Sequence, residues 1–300
     1  MNIFIIFIDI DFFTESIVMT NKMKKKRILI VFAVLIVVGI FIRLGLPFVM
    51  KKMGLHPEYN GQHYLLPKGK ALIITTSHDK LGENGDDTGV AASELTAPYY
   101  EFVEGRMSVD LASIKGGKIP IDPISLRWLI KTKYDDRYLA DPDLQNKVNN
   151  SLKIDNVDFT KYDIIFLAGG WGAAYDLGYS KVLGKKITEA YKARKVIGGV
   201  CHGLLGLLLA RDENDESLLK GKKITAVTNK QIEELGISIT PQHPERELRA
   251  AGAKFESTTA FRDFFANHVV IDGRIVSGQN QNAGPEVANK MMKIAGGTRR

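Results

Sequence analysis

Short apolar runs, each closed by glycines or a polar loop, recur between residues 70 and 280 and alternate with longer stretches of helical period. Residues 71–76, 107–113, 163–168 and 196–200 read as strands, with 223–227 and 268–271 as further ones. Residues 88–103, 185–194 and 284–295 read as helices. The main strands are apolar throughout rather than alternating, which predicts an α/β fold: a mostly parallel sheet covered by helices on both faces. Such sheets keep their sites at the carboxyl ends of the strands. The 77–87 loop, the turn Gly169, Gly170, Trp171, Gly172 and the chain's single cysteine, Cys201, all fall there.

The front of the chain follows a different pattern. Residues 28–42 are unbroken apolar, ILIVFAVLIVVGIFI, and beyond Arg43 the run continues as LGLPFVM to Met50. A spanning helix needs about 20 mostly apolar residues, so 28–50 is expected to be a transmembrane signal anchor in contact with the lipid bilayer, Arg43 snorkelling towards the headgroups. Lys22, Lys24, Lys25, Lys26 and Arg27 precede it. The positive-inside rule then makes 1–27 cytoplasmic and the large domain extracytoplasmic, in a single-pass protein. A cleaved signal peptide is the rival reading, disfavoured by the lack of an A-x-A-like site. Asp9, Asp11 and Glu15 break the apolar pattern of residues 1–18, and MKKKRILIV from Met23 is a natural export start, so Met19 or Met23 is expected to be the true first residue. Residues 51–69, with their Pro and Gly punctuation, read as a linker, and 70–295 as the α/β domain.

Charge narrows the partners. Residues 1–52 carry eight basic side chains against three acidic ones, so five of the seven net positive charges lie there and the body is nearly balanced. No electrostatic footprint for nucleic acid remains. One cysteine excludes an internal disulfide framework and a Cys-rich zinc site. His78, Asp79, Glu83, Asp86 and Asp87 lack ligand spacing and read as a solvated loop. His243, followed by Pro244, reads as a helix start.

Cys201 stands between an apolar strand and an apolar run that reads as a helix, beside His202 and among Gly198, Gly199 and Gly203. A lone cysteine is more often a small buried hydrophobe. Here the strand–cysteine–helix order is that of a nucleophile elbow, and free amides at the helix start are expected to lower the thiol's pKa. Glu94 on a helix is by default a solvated carboxylate, but its neighbours Ala91, Ala92, Leu95 and Ala97 favour burial. His202 reads equally well as a catalytic or a core histidine.

The stretches TGVAASELTAPYY, LASIKGGKIPIDPISL, DIIFLAGGWGAAYDL, GGVCHGLLGLL and VVIDGRIVSGQNQNAGPEVA, in this order, resemble the ThiJ/PfpI superfamily of class I glutamine amidotransferase-like folds, in its heat-shock-chaperone and glutathione-independent glyoxalase branch. The resemblance implies a flavodoxin-like sheet. It matches Cys201 to the nucleophile, His202 to the histidine that follows it and Glu94 to a buried acid reaching the sulfur. Gly169 and Gly170 match the loop whose amides hold an oxyanion, with Trp171 in the substrate-binding turn where the branch usually has histidine. The branch's triad acid falls at Ile232, so Glu233, one residue later, is only a tentative third member, about 100° away around a helix. Leu204 replaces a common proline. The implied activity is conversion of small aldehyde substrates such as methylglyoxal to hydroxy acids, with no glutathione, cofactor or metal; the superfamily also implies a homodimer. A cysteine hydrolase, a peptidase or amidase, and a membrane-tethered stress protein acting as holdase or oxidant sensor are the alternatives.

Overall fold

The computed structural model describes residues 21–83 and 85–300, with side chains from Lys24 onward. Residues 1–18 and Met19, on which the reading of the start site rests, lie outside the described residues. The chain divides into two units, Met1–Met53 and Gly54–Arg300.

The first unit is described from its helix α1 (Asn21–Lys52). Its segment Lys24–Lys52 contains an 18-residue stretch with a mean hydropathy of 2.9 and is long and apolar enough to cross a membrane. Pro47 lies inside it, and Lys51 and Lys52 close it.

In the second unit the elements run β1 (Tyr64–Leu65), β2 (Lys70–Thr75), α2 (Ala92–Glu104), β3 (Ser108–Ser113), α3 (Lys133–Leu139), α4 (Pro142–Asn149), β4 (Leu152–Lys153), β5 (Ile164–Leu167), α5 (Ala173–Asp176), α6 (Lys181–Lys192) and β6 (Val196–Val200). There follow β7 (Lys223–Ile224), α7 (Asn229–Leu235), α8 (Pro244–Ala250), β8 (Lys254–Phe255), β9 (Val269–Asp272), β10 (Ile275–Gly278), α9 (Gly284–Ile294) and β11 (Thr298–Arg299). Seven strands form the central sheet in the order β4-β3-β2-β5-β6-β10-β9. All pair in parallel except β9, which runs antiparallel to β10.

The two-faced burial explains the continuous apolar strands. Successive residues point to opposite faces. Ala71, Ile73, Ile164, Phe166, Val196 and Val200 enter one core with α2 and α9, whereas Leu72, Ile74, Ile165, Leu167 and Ile197 enter a second core with α6. The flavodoxin-like, mostly parallel sheet is therefore present; its strand order reverses between β2 and β5, and parallel pairing sets the carboxyl ends of β2, β5 and β6 side by side.

Three expectations change. Residues 223–224 pair with 254–255 in a separate small sheet rather than joining the central one. The apolar run after Cys201 forms a 3₁₀ helix, Cys201–Leu207, rather than an α-helix; Gly203 and Gly206 within it weaken α-helix formation. Residues 54–69 also pack as part of the body. Leu55 is buried, the His56 amide donates to Asn282, and β1 pairs with β11.

Candidate active site

The elbow sequence VIGGVCHG builds the site from its backbone. Cys201 adopts a left-handed φ of 57°, which costs a non-glycine residue roughly 1–2 kcal/mol. The strain is held by β6, hydrogen-bonded on both sides by β5 and β10. Cys201 is 6% exposed. Its Sγ lies 3.5 Å from Nδ1 of His202 and within reach of the Gly170 amide.

Glu94 approaches the sulfur from the first turn of α2 and is 2% exposed. Pro98, four residues on, has no N–H for the Glu94 carbonyl, so the helix is loosened where the carboxyl enters the site. The carboxyl faces Cys201 and the amides of Gly169 and Gly170. Its Oε2 has no hydrogen-bond partner among the described residues. Gly169 is what permits the approach: a Cβ there would stand 2.5 Å from Glu94 Oε2 and 2.8 Å from the amide nitrogens of His202 and Gly203. Gly170, at φ 95°, has the same constraint against the α2 start, where a Cβ would meet the Ala91 nitrogen at 2.3 Å.

Burial governs the charges. It pushes the Glu94 carboxyl up to about 8, against the opposing pull of Cys201 and the two glycine amides. Burial, and after it the Glu94 carboxylate, also raises the Cys201 thiol. The expected lowering of the thiol is thus corrected: the amides of His202 and Gly170 act in the expected direction but are outweighed. The thiolate is favoured only beside a protonated Glu94, where repulsion is replaced by a charge-assisted hydrogen bond.

His202 is 1% exposed, and burial, with a smaller effect of His243, lowers it to about 3. Its Nε2 is buried without a hydrogen-bond partner among the described residues. The Trp171 ring, half-exposed, tilts against it with centroids 5.0 Å apart. Glu233 does not join this group. It is exposed on α7, while Ile232 is fully buried in the core, and among the described residues no carboxylate hydrogen-bonds His202. His243 caps α8 with Pro244 at its first position.

The fastening of the 77–87 loop is a feature that the sequence does not disclose. Asp176 accepts from the Ser77 amide at 2.7 Å, Tyr175 accepts from the Gly82 amide, and His78 stacks on Tyr175 at 4.1 Å. Burial raises Asp176 to about 6. The partners lie far apart in the chain, so no local pattern marks them. Asp87 pairs with Lys80 in the same loop.

The chain is 28% identical over 242 residues to a glutathione-independent glyoxalase of Schizosaccharomyces pombe, a match covering 76% of this chain and 96% of that protein. It is similar to the structure of the rapid encystment protein of 24 kDa from Francisella tularensis, with a TM-score of 0.70, 32% identity and coverage of 76% of this chain and 99% of that one. It is also similar to the structure of glyoxalase III from Candida albicans, with a TM-score of 0.69, 26% identity and coverage of 75% and 97%. With the DJ-1/PfpI family model matching residues 87–294, which include β3 to β10, Glu94 and the elbow, the chain belongs to the DJ-1/PfpI family.

Proposed function

We propose that this protein is a glutathione-independent glyoxalase acting on small α-oxoaldehydes, with Cys201 as nucleophile and Glu94 as proton carrier. The observation that supports this reading is the buried Cys201–Glu94 pair facing two glycine amides. Loss of one proton from the pair leaves a single negative charge shared by sulfur and carboxyl. Sγ adds to the aldehyde carbon, and the oxygen that gains charge takes a proton from Glu94, giving a hemithioacetal. The amides of Gly170 and His202 are suited to hold that oxygen as its charge develops. Glu94, now a carboxylate, removes the hydrogen of the same carbon as a proton. The electron pair moves towards the neighbouring carbonyl, whose oxygen takes up the proton of the first carbon's hydroxyl, and Glu94 returns its proton to the second carbon, leaving a thioester. Water then cleaves the thioester, releasing a 2-hydroxy acid and the thiol. For methylglyoxal the sum is aldehyde plus water to lactate, one carbon being oxidised as its neighbour is reduced.

The state of His202 disfavours a peptidase or amidase. Such chemistry needs an imidazolium to protonate an amine leaving group, and burial opposes that charge with no carboxylate to offset it. His202 serves here as a neutral wall that lends its backbone amide and, with Trp171, bounds the substrate space.

We also infer that α1 is a membrane anchor with the body on the extracytoplasmic side. Length, hydropathy and the basic residues before its apolar core support this. Deleting residues 28–50 then moves the protein from the membrane to the soluble fraction.

The test mixes methylglyoxal, without glutathione, with wild type, Cys201→Ala and Glu94→Gln. Lactate from wild type alone is expected. Aldehyde loss without lactate from wild type would reduce the site to a carbonyl trap.

A further inference from the structure

A second cavity, of about 800 Å³, lies at the other end of α2. Glu101 lines it, seven residues beyond Glu94 and thus about 10 Å along the helix axis from the elbow site. Its walls come from the 59–63 segment, α2, α3 and the chain's last residue.

The cavity contains an oriented histidine. Glu101 is 3% exposed and receives hydrogen bonds from Tyr134 Oη at 2.6 Å, Asn289 Nδ2 at 2.8 Å and His63 Nδ1 at 3.2 Å. A carboxylate only accepts, so Nδ1 of His63 is the donor and Nε2 is the ring atom left for a ligand. Nε2 has no hydrogen bond among the described residues, and the half-exposed ring lines the cavity. The ring therefore offers Nε2 to a ligand hydroxyl, and the buried carboxylate fixes its direction.

Cationic side chains supply the second determinant. Arg137 stacks on Tyr100 at 3.9 Å and shares Glu104 with Arg300. Lys133 has no carboxylate partner among the described residues and lies over the Tyr134 ring at 5.2 Å. The guanidinium is held in place and the ammonium is uncompensated, a combination suited to an anionic oxygen group. The volume is in the range that encloses an organic ligand rather than a lone anion.

We propose that this cavity binds a polyhydroxylated phosphate monoester of sugar-phosphate size, its phosphate taken by Lys133 and Arg137 and a hydroxyl by Nε2 of His63. The site is independent of the chemistry at Cys201. Binding is measured by calorimetry on the Gly54–Arg300 body, which contains both cores and corresponds in extent to relatives that the match covers almost completely. The probes are glucose 6-phosphate, glucose and inorganic phosphate. Saturable binding of glucose 6-phosphate is expected, weakened about tenfold or more by Lys133→Ala, which removes an exposed side chain, and by His63→Phe. Glucose and inorganic phosphate are each expected to bind at least about tenfold more weakly. No saturation by glucose 6-phosphate at millimolar concentration overturns the proposal, as does undiminished binding in Lys133→Ala. Equal affinity for inorganic phosphate overturns the hydroxyl contact and leaves a plain anion site.

Discussion

Replacing Glu94 by glutamine removes an ionisation from the most enclosed part of the elbow site, and its effect on stability has a definite pH course. The folded protein holds this carboxyl at about 8 against an ordinary 4.5, chiefly through burial. Below the ordinary value, folded and unfolded chains both keep the proton and the group adds no pH dependence. Between the two values the folded chain keeps the proton and the unfolded chain releases it, so raising the pH favours unfolding. The slope is about 1.4 kcal/mol per pH unit, and the loss levels off above the folded value at about 5 kcal/mol in all. Glutamine carries no such penalty. Urea denaturation of the Gly54–Arg300 body and its Glu94→Gln variant, from about pH 5 to about pH 9, is expected to show wild type losing several kcal/mol relative to the variant. In a Cys201→Ala background the slope persists, because burial and not the sulfur is the first cause. Parallel stability curves would refute a protonated Glu94 in the resting site.

Other expectations follow from the same geometry. Gly169→Ala places a methyl 2.5 Å from Glu94 Oε2; kcat/KM for methylglyoxal is expected to fall about 100-fold or more with circular dichroism unchanged. Trp171→Ala opens the space beside His202, and kcat/KM for phenylglyoxal is expected to rise relative to that for methylglyoxal. Cys201→Gly is expected to be about 1 kcal/mol more stable than Cys201→Ala in urea, because glycine accepts the left-handed backbone. Asn280 is fully buried and donates to the carbonyls of Asp263 and Ala266; Asn280→Ala is expected to cost about 2–3 kcal/mol in the same assay.

The elbow was legible because three local signals coincide: an apolar run, close-packing glycines, and a cysteine at their boundary. The 196–200 strand agrees with β6 residue for residue. What the chain hides is what distant segments decide. The strand β10 is only IVSG, tucked behind a tight turn with Gly273 at φ 60°, and it is assigned no element from the sequence. Helices α3 and α4 together bury little apart from Asp135, Leu144 and Val148, so their periodicity is faint. His63, Glu101 and Tyr134 meet across separations of 38 and 33 residues. Glu233 shows the sharpness of register: one step along α7 decides between the core, occupied by Ile232, and solvent.

The backbone at Cys201 has a consequence for how this gene tolerates change. The fold by itself prefers glycine at this position, and a single base substitution converts a cysteine codon to a glycine codon. The backbone therefore offsets part of the packing lost when the buried thiol is deleted. A lineage released from the need for this thiol would pass through the glycine allele with a smaller folding defect than at a buried cysteine of ordinary backbone. Abundance and solubility would then be poor reporters of its loss, and a direct test of thiol reactivity is what distinguishes the two forms.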